Sequence, residues 1–130
     1  MRVDAANASV VQGDPFLLRQ ALVNLLDNAL DFASRGSVVE ARASREPAPA
    51  KAGGDVLRFE IADRGPGVPD YARGHVFERF YSLPRPDGGS RSSGLGLPFV
   101  AQVAHLHAGR VELRDREGGG TVAALSIPSA

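Results

Sequence analysis

Apolar residues along this chain change period several times, and the changes mark out its elements. Between Asp14 and Gly36, Leu18, Leu22, Leu25 and Ala29 recur at helical spacing, which predicts a helix over residues 15–33 with that stripe buried. Asp14 is a good N-cap, Pro15 suits a first turn, and Gly36 is placed to close the helix. A second helix is expected over 98–107, with Phe99, Val103 and Leu106 on its apolar side and Gly109 as its stop. A shorter helix is expected near 70–80. Period two appears elsewhere. Residues 37–44 alternate from Val39, and 56–63 set Leu57, Phe59 and Ile61 against Arg58 and Glu60. Residues 110–115 and 121–127 complete the strands, with 9–12 as one more short candidate.

Glycine and proline gather at 46–55, 64–69, 84–96 and 118–120, between the periodic stretches. The order is helix, two strands, an irregular stretch, helix, two strands. That order predicts an α+β fold. It would be a two-layer α/β sandwich, with a mixed, mostly antiparallel sheet of about five strands covered on one face by about three helices. A chain of 130 residues makes one domain. Its 15 basic and 15 acidic residues cancel, which argues against a nucleic-acid binder driven by phosphate neutralisation. No apolar run is long enough to span a membrane, and the first residues lack the apolar core of a secretory signal. The absence of cysteine removes disulfides, thiolate metal sites and cysteine nucleophiles.

Four stretches carry candidate chemistry. Gln20, Asn24, Asn28 and Asp31 share one face of the first helix, either as a plain solvent face or as oxygen ligands for a hard cation such as magnesium. Asp63 ends a buried-type strand before Gly65 and Gly67. It is either a surface turn or a carboxylate placed to accept from an exocyclic amine. Ser92-Ser93-Gly94-Leu95-Gly96-Leu97 leads into a helix whose exposed N–H groups suit phosphate, without being a Walker or Rossmann loop. The aromatic stretch 76–81 lies in a glycine-bounded segment that is either a packed helix or a functional lid.

Together, their order and spacing resemble the N box, first glycine box, F box and second glycine box of the ATP-binding domain of sensor histidine kinases, within the wider family shared with gyrase, Hsp90 and MutL. The resemblance runs from about Gly13 to Ile127. It implies a long ATP lid at about 69–93 and a set of residue roles. Asn28 would be the magnesium ligand, with Asn24 near the triphosphate. Asp63 would bind the adenine amino group, with Gly65, Gly67 and Val68 shaping the turn. Phe32 would lie against the adenine, and Asp31 and Tyr81 would complete the nucleotide surroundings. Arg79 would order the lid or neutralise charge during transfer. Ser93, Gly94, Leu95, Gly96 and Leu97 would cradle the phosphates, and Thr121 would reach the adenine through water.

Two positions depart from the family pattern. Asp31 stands where many relatives carry a basic residue, leaving Arg91 or Arg85 as nearby basic candidates. Asn24 stands where ATP-hydrolysing relatives carry a general-base glutamate. An amide takes no proton from water, so the site suits phosphoryl transfer to a partner better than hydrolysis. His75, His105 and His107 lack the context of a phospho-accepting histidine, and the last two are expected to be structural or solvent-facing. The resemblance therefore implies a catalytic domain that binds Mg-ATP and phosphorylates a histidine of an upstream dimerisation domain, which then passes the phosphate to a response regulator. It would work in the cytoplasm, with its parent anchored in the bacterial inner membrane and no membrane contact of its own. The alternatives are a stand-alone ATPase, an anti-sigma-type serine kinase, or a non-catalytic nucleotide-sensing module.

Overall fold

The computed structural model describes residues 2–4, 13–34, 36–47, 55–72, 74–78 and 96–128. The elements are β1 (Arg2–Asp4), α1 (Pro15–Phe32), β2 (Glu40–Pro47), β3 (Asp55–Asp63), a single 3-10 turn (Asp70–Ala72), α2 (Gly96–Leu106), β4 (Arg110–Asp115) and β5 (Thr121–Pro128). The sheet order is β1-β2-β3-β5-β4. β2, β3, β5 and β4 are antiparallel neighbours, and the three-residue β1 joins β2 in parallel. The α+β sandwich with a mixed, mostly antiparallel sheet is thus as expected. Two α-helices, not three, are present among the described residues.

α1 begins where its cap chemistry dictates. Asp14 is extended, and its carboxylate accepts from the backbone N–H of Phe16 (2.9 Å) and Leu17 (3.2 Å), with Pro15 in the first turn. Its buried residues are Ala21, Leu25 and Ala29, with Leu18, Leu22 and Leu26 packed half-buried beside them. The stripe is therefore centred slightly to one side of the predicted one. Gly36 does not close the helix. The chain leaves at Ala33 in an extended conformation, and the Ser34 hydroxyl donates to the Arg64 carbonyl at 2.6 Å. Gly36, at φ +79, serves the turn beyond. That turn, where Ser37 donates back to the Ser34 carbonyl, delays β2 to residue 40.

α2 starts two residues before the predicted boundary. It buries Val100, Val103 and Ala104, while Leu106 is exposed. His107 takes the place expected of Leu106. Half-buried, it links Nδ1 to the Val103 carbonyl (2.8 Å) and accepts the Asp14 N–H at Nε2 (3.0 Å), tying the end of α2 to the start of α1. His107 is structural, as anticipated. The helix expected over 70–80 is only the 3-10 turn followed by further i→i+3 bonds, His75 to Ala72 and Glu78 to His75. Residues 79–80 of that prediction, the strand candidate 9–12 and most of the 69–93 lid lie outside the described residues.

The core sits between the helices and one sheet face: Leu25, Val100 and Leu125 are fully buried, flanked by Ala123 and Ile127 of β5. The other face is covered by charge. Arg58, only 10% exposed in its side chain, reaches Glu60 (2.7 Å), Glu112 (3.4 Å) and Glu46 (3.9 Å), and Arg114 joins Glu60 at 3.3 Å. Ala124, buried on that face, is paired with Glu60 on one side and Glu112 on the other.

Candidate nucleotide site

Asp63 is the last residue of β3 and pairs with Thr121, the first of β5. It is only 5% exposed. Its carboxylate accepts the Gly65 N–H at 2.8 Å and also the Thr121 N–H. Burial pushes the carboxyl above the usual aspartate range, opposed by those two hydrogen bonds and by the charge of Arg116. This is a desolvated carboxylate held by backbone donors, with acceptor capacity left over.

The surrounding glycines have specific steric causes. A Cβ on Gly65 would overlap the Phe32 carbonyl oxygen, so this turn lies directly on the last residue of α1. A Cβ on Gly120 would overlap the Asp63 carbonyl, and Gly120 has φ +110. Gly67 also has positive φ, +79. Asp63, Gly65, Gly67, Phe32, Val68 and Thr121 thus fall on or beside segments joined at one end of the sheet. Thr121 is buried, and Phe32 and Val68 are half-buried.

A second part of the site lies between the helices. Gln20 Nε2 donates to Asn24 Oδ1 (2.8 Å), and Asn24 Nδ2 donates to the Gly96 carbonyl (3.2 Å). Asn24 therefore joins α1 to the first residue of α2. Asn28 stands half-buried one turn from Asn24 and one turn from Phe32, between the two parts. Asp31 is exposed. Gly96 is exposed, and a Cβ there would meet open space, so the fold itself does not require glycine at this helix start. Leu97 is half-buried against the core. Arg79, Tyr81, Ser93, Gly94 and Leu95 lie outside the described residues, as do Arg85 and Arg91.

Sequence reasoning passed over three contributors. Arg64 Nη1 donates to the carbonyls of Glu117 (2.8 Å) and Gly119 (3.0 Å). Ser34 ties the end of α1 to Arg64. Arg116 pairs with Glu40 at 3.4 Å, and its buried Nη1 finds no hydrogen-bond partner among the described residues. The only available signal was position: Arg64 within the Asp-x-Gly turn, Arg116 before the glycine run.

Among the described residues no group of three His, Cys, Asp or Glu could hold an ion. What α1 offers is the Asn28 amide beside the Asn24 amide. That suits magnesium arriving with a triphosphate, since this ion keeps water and phosphate oxygens as most of its ligands.

A two-layer sandwich with a buried strand-end carboxylate, glycine turns and a helix start facing the first helix defines a nucleotide-binding domain of the histidine-kinase ATPase type. Residues 13–130 match the family described as histidine kinase-, DNA gyrase B-, and HSP90-like ATPase, and the chain belongs to that family. It is 44% identical over 117 residues to the sensor protein CreC of Escherichia coli (strain K12), covering 90% of this chain and 23% of that protein. It is 38% identical over 117 residues to the sensor histidine kinase GtrS of Pseudomonas aeruginosa, covering 89% and 22%. The chain thus spans about a quarter of these relatives' length. Among solved structures, the mycobacterial sensor histidine kinase MprB superposes with a TM-score of 0.77 at 32% identity, covering 98% of this chain and 80% of that one. Full-length ShkA in complex with AMPPNP gives 0.73 at 31% identity, covering 99% and 26%. The chain is a histidine-kinase-type catalytic domain. No described helix is long and apolar enough to cross a membrane.

Proposed function

We propose that this domain binds Mg-ATP and transfers the γ-phosphoryl group to a histidine on a dimerisation domain outside this chain, from which a response regulator receives it. The observation that carries the reading is Asp63: a buried carboxylate with spare acceptor capacity, at a strand end where Gly65 and Gly120 let the end of α1 and the β4–β5 turn close in on the backbone. An adenine amino group is a donor of the right polarity for it, and Thr121 adds a buried polar neighbour.

In this reading Phe32 and Val68 face the base, with Gly67 shaping the turn. The N-terminus of α2, with Gly96 and Leu97, faces the phosphates together with Ser93, Gly94 and Leu95. Asn28 would hold a magnesium ion, which would supply neutralisation of phosphate charge, with Asn24 beside the triphosphate. Asp31, one turn further along α1, tolerates the triphosphate only with that cation present. Arg79 and Tyr81 act from the lid. The histidine nitrogen attacks the γ-phosphorus, the bond to the β,γ-bridging oxygen breaks, and ADP leaves. Positioning supplies most of the catalysis in such transfers. Asn24 is an amide and removes no proton from water, which favours transfer over hydrolysis. We place the parent protein in the bacterial inner membrane with this domain in the cytoplasm.

Titration of the isolated domain by calorimetry with ATP, ADP and GTP, with and without magnesium, tests the reading. Adenine-selective, magnesium-dependent binding without phosphohistidine on this chain is expected. Phosphohistidine here, or steady ATP turnover, overturns the division of labour. ADP binding as tight as ATP and indifferent to magnesium points to a nucleotide sensor instead.

A further inference from the structure

We infer that Arg64 is a positioning residue for the base end of the site, clamping the β4–β5 turn so that Gly120 and Thr121 are presented to Asp63. The inference rests on the proposed nucleotide reading. The turn needs a clamp. Gly118, Gly119 and Gly120 have φ of +85, +106 and +110, three consecutive residues with little intrinsic backbone preference. Within the turn, the Arg116 N–H donates to the Gly120 carbonyl (3.0 Å) and the Gly119 N–H to the Arg116 carbonyl (2.9 Å). Both bonds close the turn on itself. They do not fix its tip relative to the Asp63 turn, and the pairing of Asp63 with Thr121 holds only the residue that follows it.

Arg64 supplies that tie from the neighbouring turn. A single nitrogen, Nη1, donates to both Glu117 (2.8 Å) and Gly119 (3.0 Å). A Cβ on Gly118 would come 3.0 Å from the same nitrogen, so the guanidinium lies directly against the turn. The backbone of Arg64 is held in its own right, its carbonyl accepting the Ser34 hydroxyl at 2.6 Å. One residue therefore joins the end of α1, the end of β3 and the β4–β5 turn. Asp63 and Gly65 are its immediate chain neighbours. Arg64 is exposed, so its side chain adds little to the core, and the carbonyls it holds can turn to water when it is lost. Removing it should loosen the base end without unfolding the domain.

The test is calorimetric titration of the domain with Mg-ATP for wild type, Asp63→Asn, Arg64→Met and Arg64→Lys, with urea unfolding of each. Arg64→Met should weaken ATP binding by about three- to tenfold, the effect of losing one or two charge-assisted hydrogen bonds only partly expressed through the turn. Its unfolding midpoint should stay near wild type. Because both bonds leave one nitrogen, the lysine ammonium can replace them, and Arg64→Lys should recover most of the affinity. Arg64→Met binding within twofold of wild type overturns the inference. So does a loss that follows a matching fall in the midpoint, or a lysine variant no better than methionine. If wild type shows no ATP binding, or Asp63→Asn binds like wild type, the nucleotide reading itself fails and takes the inference with it.

Discussion

Asp63→Asn separates what the buried carboxylate does for binding from what it does for folding. In the wild type the carboxylate accepts from Gly65 at 2.8 Å and from the Thr121 backbone, and the adenine amino group would be a further donor to it. A hydrogen bond to a charged acceptor is worth about 1.5–3 kcal/mol net. An asparagine keeps one acceptor oxygen and replaces the other with an NH₂ that must face a donor. The variant therefore loses the adenine bond and gains a donor–donor conflict. ATP affinity should fall by at least about 10–100-fold, following roughly 1.4 kcal/mol per decade.

Stability should move the other way or hardly at all. Burial raises the carboxyl's pKa in the folded state. A raised folded value means the contribution to stability is fully present below the unfolded value and is lost as pH rises through the folded one. At neutral pH the wild type thus carries a desolvation penalty that its backbone hydrogen bonds and Arg116 offset only in part, and that asparagine removes. Urea unfolding from pH 4 to 8 should show a decline with rising pH in wild type that is flattened in Asp63→Asn, with neutral-pH stabilities within about 1 kcal/mol. Calorimetry checks the affinity. A variant that binds ATP within twofold of wild type refutes the assignment, and one that is less stable by about 3 kcal/mol refutes the account of the charge.

Gly120→Ala places a methyl against the Asp63 carbonyl at φ +110, and should lower unfolding free energy by at least about 2 kcal/mol, read from urea midpoints. His107→Ala removes the acceptor of the Asp14 N–H and should cost about 1–2 kcal/mol, while the exposed His105→Ala stays within about 0.5 kcal/mol. Arg58→Met removes the cation shared by Glu46, Glu60 and Glu112, leaving Glu60 with Arg114, and should destabilise by about 1–3 kcal/mol. An unchanged thermal midpoint would show that this network is ornamental.

The helices and strands were legible because each buries one face and so carries a period. Boundaries failed where a bond between distant residues decides them. α1 ends at Phe32, not at the glycine signal, because Ser34 is bonded to Arg64, thirty residues on. Leu106 fits the helical period, yet His107 lies against α1 instead, because its ring can satisfy two backbone groups and leucine cannot. β1 escaped notice because three residues hold no period. At the site, Asp63, Gly65, Gly67 and Thr121 were readable as a motif. Arg64, Ser34 and Arg116 were not, because each acts through a carbonyl or a charge that only the fold brings near.

The two parts of the site are held with unequal strength, and this bears on how binding energy is used. At the base end, Gly65 lies on the Phe32 carbonyl, Gly120 lies on the Asp63 carbonyl, Ser34 is bonded to Arg64, and Arg64 is bonded twice to the turn before Thr121. Every link involves backbone, so on the proposed reading this end is set before a nucleotide arrives and little entropy would be lost in ordering it. Between the helices, among the described residues, the start of α2 is hydrogen-bonded to α1 by one 3.2 Å amide bond from Asn24, itself held by Gln20, beside the apolar packing of Leu97. That amide must exchange the Gly96 carbonyl for a new partner if it turns toward a triphosphate. On the proposed reading, contact energy at the base end therefore goes to affinity. At the phosphate end of that reading, part of it would go to rearranging the Asn24–Gly96 contact, which would place the adjustable element beside the group transferred.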